Sequence, residues 1–293
     1  MSVRGSYRME NLNTVVQDIY AKLEGLSEGK ALEINEEELD QTMERIKESI
    51  LTWSKPRESS KEFTLRMSNV GRPLRQLWYD NKNVSEPSVI SAPTQIKFLY
   101  GHILEEIVLM LVRLSGHEVS SEQKEISVSG IKGHMDCKIN GQVVDVKSAS
   151  RYSFKKFVDG SLAENDPFGY LPQLAGYEAA ENTDNGGFLV INKESGELCL
   201  FQPEDLEKPN IEQKIKDVRK ALSLDTPPDR CYNTISDGKK GNMKLPSGCS
   251  YCPYKFECYA DANDGQGLRS FAYASGPVYF TKVVSEPRVE EIL

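Results

Sequence analysis

The dipeptide Asn140-Gly141 dictates a two-residue type I′ hairpin, because both central residues of that turn need positive φ. It sits inside "GHMDCKINGQVVDVKSAS" (residues 133–150), where short, mostly alternating runs at 134–139 and 142–147 read as the paired strands. If Ile139 faces Gln142, then Asp136 faces Asp145 and His134 faces Lys147. Directly opposed residues share a face with Cβ atoms about 4.5–5.5 Å apart. Residues two apart also share a face, which puts Lys147 on the carboxylate side. Opposed like charges are destabilising unless something holds them, and a divalent cation would. The other reading is an exposed hairpin whose polar face carries Asp136, Asp145 and Lys147.

A second strong signal is "TQIKFLYGHILEEIVLMLVRLS" (94–115), a helix apolar over most of its circumference and hence largely buried. Its polar members His102, Glu105, Glu106 and Arg113 form one narrow stripe. Two carboxylates on a buried helix would be costly without partners, so Glu105 or Glu106 is a candidate third carboxylate beside Asp136 and Asp145. The stripe would equally suit a solvent-facing strip. Mg²⁺ needs only two or three carboxylates, since it keeps several waters.

Further elements are predicted on both sides. Two acidic helices occupy 9–53, the second with Glu36, Glu37 and Glu38 in its first turn, where the helix dipole favours anions. They read as an appendage, joined by a linker at 54–63. Strands follow near 118–129, 134–139 and 142–148, a helix near 167–181, strands at 187–193 and 198–202, and a helix at 209–222. That order predicts a mixed α/β core with helices flanking one sheet. The expected division is 1–60 as the helical region and linker, 61–225 as the core, and 226–293 as a cysteine-bearing segment and tail packing on it.

Charge alone points away from nucleic acid, at −8 net over 293 residues. Its distribution is uneven: residues 1–50 hold 11 acidic and 6 basic residues, and 55–82 hold 7 basic and 3 acidic. "SRYSFKKF" (150–157) and "GKKGNMK" (238–244) are also basic. Arg66, Arg72, Arg75, Arg151, Lys155 and Lys156 are therefore candidates for docking phosphates. No apolar run approaches the ~20 residues of a membrane span, and the N-terminus shows no signal-peptide core. A cytoplasmic protein is expected, with no membrane partner; the oligomeric state is not legible.

The ordered set of motifs resembles the PD-(D/E)XK nuclease superfamily. Met135-Asp136 … Asp145-Val146-Lys147 looks like its signature, with Met in place of the proline. Gln173 and Tyr177 in "LPQLAGY" resemble the Gln-x-x-x-Tyr motif of the RecB-like branch. Gly101-x-x-x-Glu105 lies where that branch often has Gly-x-x-x-His, and "LRMSNVGRPLRQLWY" (65–79) resembles the opening segment of many phage members. The resemblance, covering about 64–260, implies a restriction-endonuclease-like fold and metal-dependent hydrolysis of DNA. It implies that Mg²⁺ or Mn²⁺ is bound by Asp136, Asp145, Glu105 and the Val146 carbonyl. Lys147 would act on the attacking water or the scissile phosphate, with Gln173 and Tyr177 orienting Lys147 or the DNA backbone. Exonuclease action on single strands or duplex ends is the favoured mode. A phage-type role in recombination, repair or DNA degradation would place the protein in the host cytoplasm. The alternatives are an endonuclease of the same fold and a non-catalytic DNA-binding protein. His102 and His134 could line the site.

Six cysteines in a chain of this length do not make a disulfide scaffold. Cys249-x2-Cys252-x5-Cys258 suits Zn²⁺ or an iron–sulfur centre. The triplet resembles the C-terminal part of the iron–sulfur staple of RecB-like helicase–nucleases and CRISPR-adaptation nucleases. In those, a fourth cysteine precedes the core. Pro73 stands at that place here, leaving Cys231 as the candidate fourth ligand of a [4Fe–4S] cluster, with Zn²⁺ as the alternative. Either would tie the C-terminal segment to the core. Cys137 and Cys199 read as strand or core residues.

Overall fold

A computed structural model describes residues 11–56, 63–82, 90–164, 166–203 and 207–292; the predicted linker falls partly outside them, at 57–62. Helices α1 (Val15–Ser27), α2 (Glu36–Trp53), α3 (Leu74–Lys82) and α4 (Ala92–Leu114) come first. Strands β1 (Val119–Ser120), β2 (Lys124–Val128), β3 (Ile131–Met135), β4 (Cys137–Ile139) and β5 (Gln142–Ala149) follow. Next are α5 (Arg151–Val158), α6 (Tyr170–Glu181), β6 (Gly187–Asn192), β7 (Leu198–Phe201) and α7 (Ile211–Leu222). The last strands are β8 (Ile235–Asp237), β9 (Asn242–Lys244), β10 (Arg269–Tyr273), β11 (Gly276–Lys282) and β12 (Glu291–Ile292).

The chain divides into two compact units. One takes in α1, α2, α4 to α6 and β1 to β7; the other takes in α3 and β8 to β12, with the boundary inside α7 after Ile215.

In the first unit a mixed sheet runs in the order β1-β4-β5-β6-β7, with β5 and β6 parallel and the other pairs antiparallel. Every residue of β6 is buried, as expected of a central strand covered on both faces. On one face, Val144, Val146, Leu189 and Ile191 pack against Val108, Leu109 and Val112 of α4 and against Leu12, Val15 and Ile19 at the N-terminus. The opposite face carries Phe188 and Phe201, which meet Phe157 of α5, while Tyr170 of α6 lies against Phe157 and Phe188. The acidic N-terminal helices are thus no loose appendage: α1 helps build the core, and the Arg45 guanidinium of α2 donates to Glu106 of α4 at 2.7 Å.

The Asn140-Gly141 turn has both residues at positive φ (51° and 81°), and the ladder pairs Ile139 with Gln142, Lys138 with Val143 and Cys137 with Val144. It then stops. The expected strand at 134–139 is two strands broken at Asp136, because β3 turns away to pair with β2. His134 accordingly faces Glu125, not Lys147.

The second unit is an antiparallel sheet in the order β12-β10-β11-β9-β8. Among the described residues, no helix is long and apolar enough to cross a membrane.

Candidate active site

The break at Asp136 builds the site. Where the β4 ladder has ended, Asp136 Oδ2 accepts the Val146 N–H at 2.9 Å, while the Asp136 carbonyl accepts the Gln123 N–H at 3.0 Å. The side chain thereby takes over a strand hydrogen bond that β5 would otherwise lose in a buried place. One residue earlier on β5, Asp145 is fully buried, with its Oδ2 against Lys147 Nζ. Asp145 Oδ1 has no hydrogen-bond partner among the described residues. Lys147 Nζ lies 4.0 Å from Asp136 Oδ2 and 5.4 Å from the centre of the Tyr170 ring.

Adjacent residues on α4 point about 100° apart, and the structure separates Glu105 from Glu106 on that basis. Glu106 turns to Arg45, and Arg113 pairs with Glu122, so both belong to an ion-pair network with α2. Glu105 turns to the aspartates and accepts from Gln123 Nε2 at 3.0 Å. His102 and His134 are exposed.

The electrostatics are those of too many carboxylates for one ammonium. Burial, reinforced by the neighbouring Asp136, pushes Glu105 up to about 8. Burial also pushes Asp145 up to about 7, against the pull of Lys147 and with a further push from Asp136. For Lys147, burial acts downward, but Asp145 and Asp136 outweigh it and hold the ammonium above the ordinary lysine range. Burial likewise raises Tyr177, with Asp145 and Asp136 adding to it.

Gln173 Nε2 donates to Tyr177 Oη at 2.6 Å, and Tyr177 is buried. These two residues bond each other, whereas the ring against the Lys147 ammonium belongs to Tyr170, which the sequence reading did not single out. The signal was there: Tyr170, Gln173 and Tyr177 recur at i, i+3 and i+7 on one helix face. Asp166 was also overlooked. Its carboxylate accepts the N–H groups of Gly169, Tyr170 and Leu171, each at 2.9 Å, and so caps α6.

Of the candidate phosphate-docking residues, Arg66, Arg72, Arg151 and Lys155 are exposed. Lys156 is half-buried, with its ammonium over the Tyr152 ring. Arg75 is committed elsewhere, donating to the Pro228 carbonyl and to Tyr79 Oη with its guanidinium facing Cys258.

Within the second unit, Cys231, Cys249, Cys252 and Cys258 all line one cavity, together with Pro73, Arg75 and Tyr79. Burial pushes the Cys252 thiol up to about 11 and raises Cys231 and Cys249. All six cysteines are free. Cys137 is buried in the sheet core, and Cys199 is half-buried in β7. Among the described residues, no three His, Cys, Asp or Glu side chains are disposed to grip a single metal ion as they stand.

No family model matches the chain, and no curated protein matches it. Solved structures similar to it include an alkaline exonuclease (LHK-Exo) from Laribacter hongkongensis, at 12% identity and TM-score 0.39 over 54% of this chain and 87% of that one. The same enzyme in complex with dAMP matches at 11% and 0.35, over 54% and 84%. A protein described as SSO0001 matches at 18% and 0.37, over 73% of this chain and 91% of that one.

Proposed function

We propose that the first unit is a divalent-metal-dependent deoxyribonuclease, acting as an exonuclease on single strands or DNA ends. The observation that carries this reading is the gathering of Glu105, Asp136 and Asp145 around the Lys147 ammonium, with one buried Asp145 oxygen left without a hydrogen bond. Hard oxygen donors in carboxylate excess fit Mg²⁺ or Mn²⁺. Glu105, Asp136, Asp145 and the Val146 carbonyl would hold such a cation, which supplies phosphate polarisation and acidification of a bound water. The remaining roles fall to the protein. Lys147, held charged by two aspartates, is suited to meet the charge on the scissile phosphate or orient the attacking water rather than to accept a proton. Tyr170 fixes the lysine from its other side. The Gln173–Tyr177 pair braces the helix face beside it. A role in phage-type recombination, repair or DNA degradation rests on the motif resemblance.

The test is degradation of end-labelled single-stranded, linear duplex and closed circular DNA with Mg²⁺, Mn²⁺ or EDTA, for wild type and Lys147→Ala. Metal-dependent loss of linear DNA with circles spared, abolished by the substitution, is the expected result. Cutting of circles would make the protein an endonuclease. DNA binding without cleavage would make it a binding protein on the same fold.

The adjacent glutamates give a sharper expectation. Glu105→Gln removes a cation ligand and lowers hydrolysis about 10²-fold with the fold intact. Glu106→Gln weakens the pair with Arg45, costs about 2 kcal/mol of stability and leaves the rate within about threefold. Thermal melts beside rate measurements decide it; a larger rate loss in Glu106→Gln would exchange the two roles.

For the second unit we propose a [4Fe–4S] cluster held by Cys231, Cys249, Cys252 and Cys258. The support is that all four line one cavity; the choice of a cluster over Zn²⁺ rests on the motif resemblance.

A further inference from the structure

Phe168 is 59% exposed, two residues before the aromatic ring that backs Lys147. Its ring stacks on Tyr170, with centroids 5.5 Å apart and planes inclined by 26°, so one face is covered and the other is open. A phenylalanine left this exposed forfeits much of the roughly 1.5–3 kcal/mol that full burial provides.

The segment that carries it is nonetheless fixed in place. Three consecutive N–H groups, from Gly169 to Leu171, are tied to the Asp166 carboxylate. Gly169 sits at φ +76° with the Gly71 backbone so near that a Cβ would fall 2.4 Å from it. Pro167 restricts the chain further. The open ring is therefore presented at a set position, at the end of a chain of contacts from Phe168 through Tyr170 and Lys147 to Asp145.

We propose that Phe168 is the base-stacking residue of the site, receiving a nucleobase of a single-stranded or frayed DNA end next to the phosphate that Lys147 meets. This assignment rests on the nuclease reading above and names what that site selects: an unpaired base. In the interior of an intact duplex both faces of each base are taken up by stacking, whereas a single strand offers free π-faces along its length that an aromatic side chain can accept. The preset ring lowers the ordering cost of that contact. Lys156 of α5, near enough to Asp166 for their charges to interact, supplies charge for the backbone that must accompany the base. Phe168 is thus a substrate-positioning residue, distinct from the groups that handle the phosphate.

The test separates binding from cleavage. Fluorescence anisotropy of a labelled oligothymidylate is measured in EDTA for wild type, Phe168→Ala, Phe168→Trp and Phe168→Leu, beside an oligonucleotide of the same length with abasic sites at its end. Phe168→Ala is expected to weaken binding of the intact strand about tenfold, the lower range for loss of one stacked base. Phe168→Trp should restore it and Phe168→Leu should not. On the abasic strand, wild type and Phe168→Ala should bind alike. Equal affinities of wild type and Phe168→Ala for the intact strand would overturn the stacking role while leaving the nuclease reading untouched. So would a loss equally large on the abasic strand, or full rescue by leucine. Failure of wild type to bind the intact strand would overturn the stacking role, while the nuclease reading is decided by the metal-dependent cleavage assay. Because the side chain is largely exposed, the circular dichroism of all variants should match wild type.

Discussion

Asp145→Asn is expected to lower metal-dependent hydrolysis of linear DNA by about 10³-fold or more and to flatten the pH dependence of the metal-free protein's stability. The rate loss follows from position. Asp145 is fully buried, keeps one oxygen without a hydrogen bond and touches the lysine that serves the phosphate. Asparagine keeps the shape and can still accept from the ammonium, but it has no charge with which to hold a cation.

The stability effect follows from linkage. Burial raises Asp145 from 3.8 to about 7 and Glu105 from 4.5 to about 8, so in EDTA the native state binds more protons than the unfolded chain between those limits. Stability is then fullest below the unfolded values and declines as pH rises toward the folded ones. Wild type in EDTA should melt progressively lower from about pH 5 to about pH 8, and Mg²⁺ should raise the melting temperature most at the upper end. Asp145→Asn removes its own part of that decline and loses most of the Mg²⁺ response. It reduces but does not abolish the part due to Glu105, which burial mainly raises and Asp145 raises further. Scanning calorimetry across pH, with and without Mg²⁺, reads all three. A variant that still hydrolyses DNA near the wild-type rate would remove Asp145 from the site.

Much of this geometry could be read from the chain, and what could not has identifiable causes. The hairpin register was legible because Asn-Gly leaves few alternatives. The split at Asp136 was not, since the alternation continues through it and only the pairing of β3 with β2 reveals that the strand changes partner. Whether Glu105 or Glu106 faces the aspartates could not be decided within α4. The answer lies in Arg45, 61 residues away. The N-terminal helices looked detachable because their charges dominate the count. Yet Leu12, Val15 and Ile19 already form an apolar stripe at helical spacing, and all three are buried. Arg75 lies in a basic stretch by composition, but it folds back among the cysteines.

Cys231→Ser is expected to strip the second unit of its metal, and Pro73→Cys in that background is expected to restore it. Cys231 and Pro73 line the same cavity as Cys249, Cys252 and Cys258, so a thiol at either place faces the same three partners. Burial holds the Cys252 thiol up at about 11 and raises Cys231 and Cys249, which keeps them protonated in a metal-free protein. Bound metal takes them as thiolates and returns that cost with a large surplus, on the order of 10 kcal/mol for structural sites. Losing one ligand should therefore lower the melting temperature by more than about 10 °C, whereas Cys199→Ser, in the other unit, should leave metal content unchanged. Elemental analysis for iron, zinc and acid-labile sulfide reads the outcome directly. Iron with sulfide in wild type, absent in Cys231→Ser and regained with Pro73→Cys, would establish the cluster and its fourth ligand together. Zinc in the same pattern would keep the ligands and replace the cluster. Unchanged metal content in Cys231→Ser would leave the three remaining cysteines as the whole site.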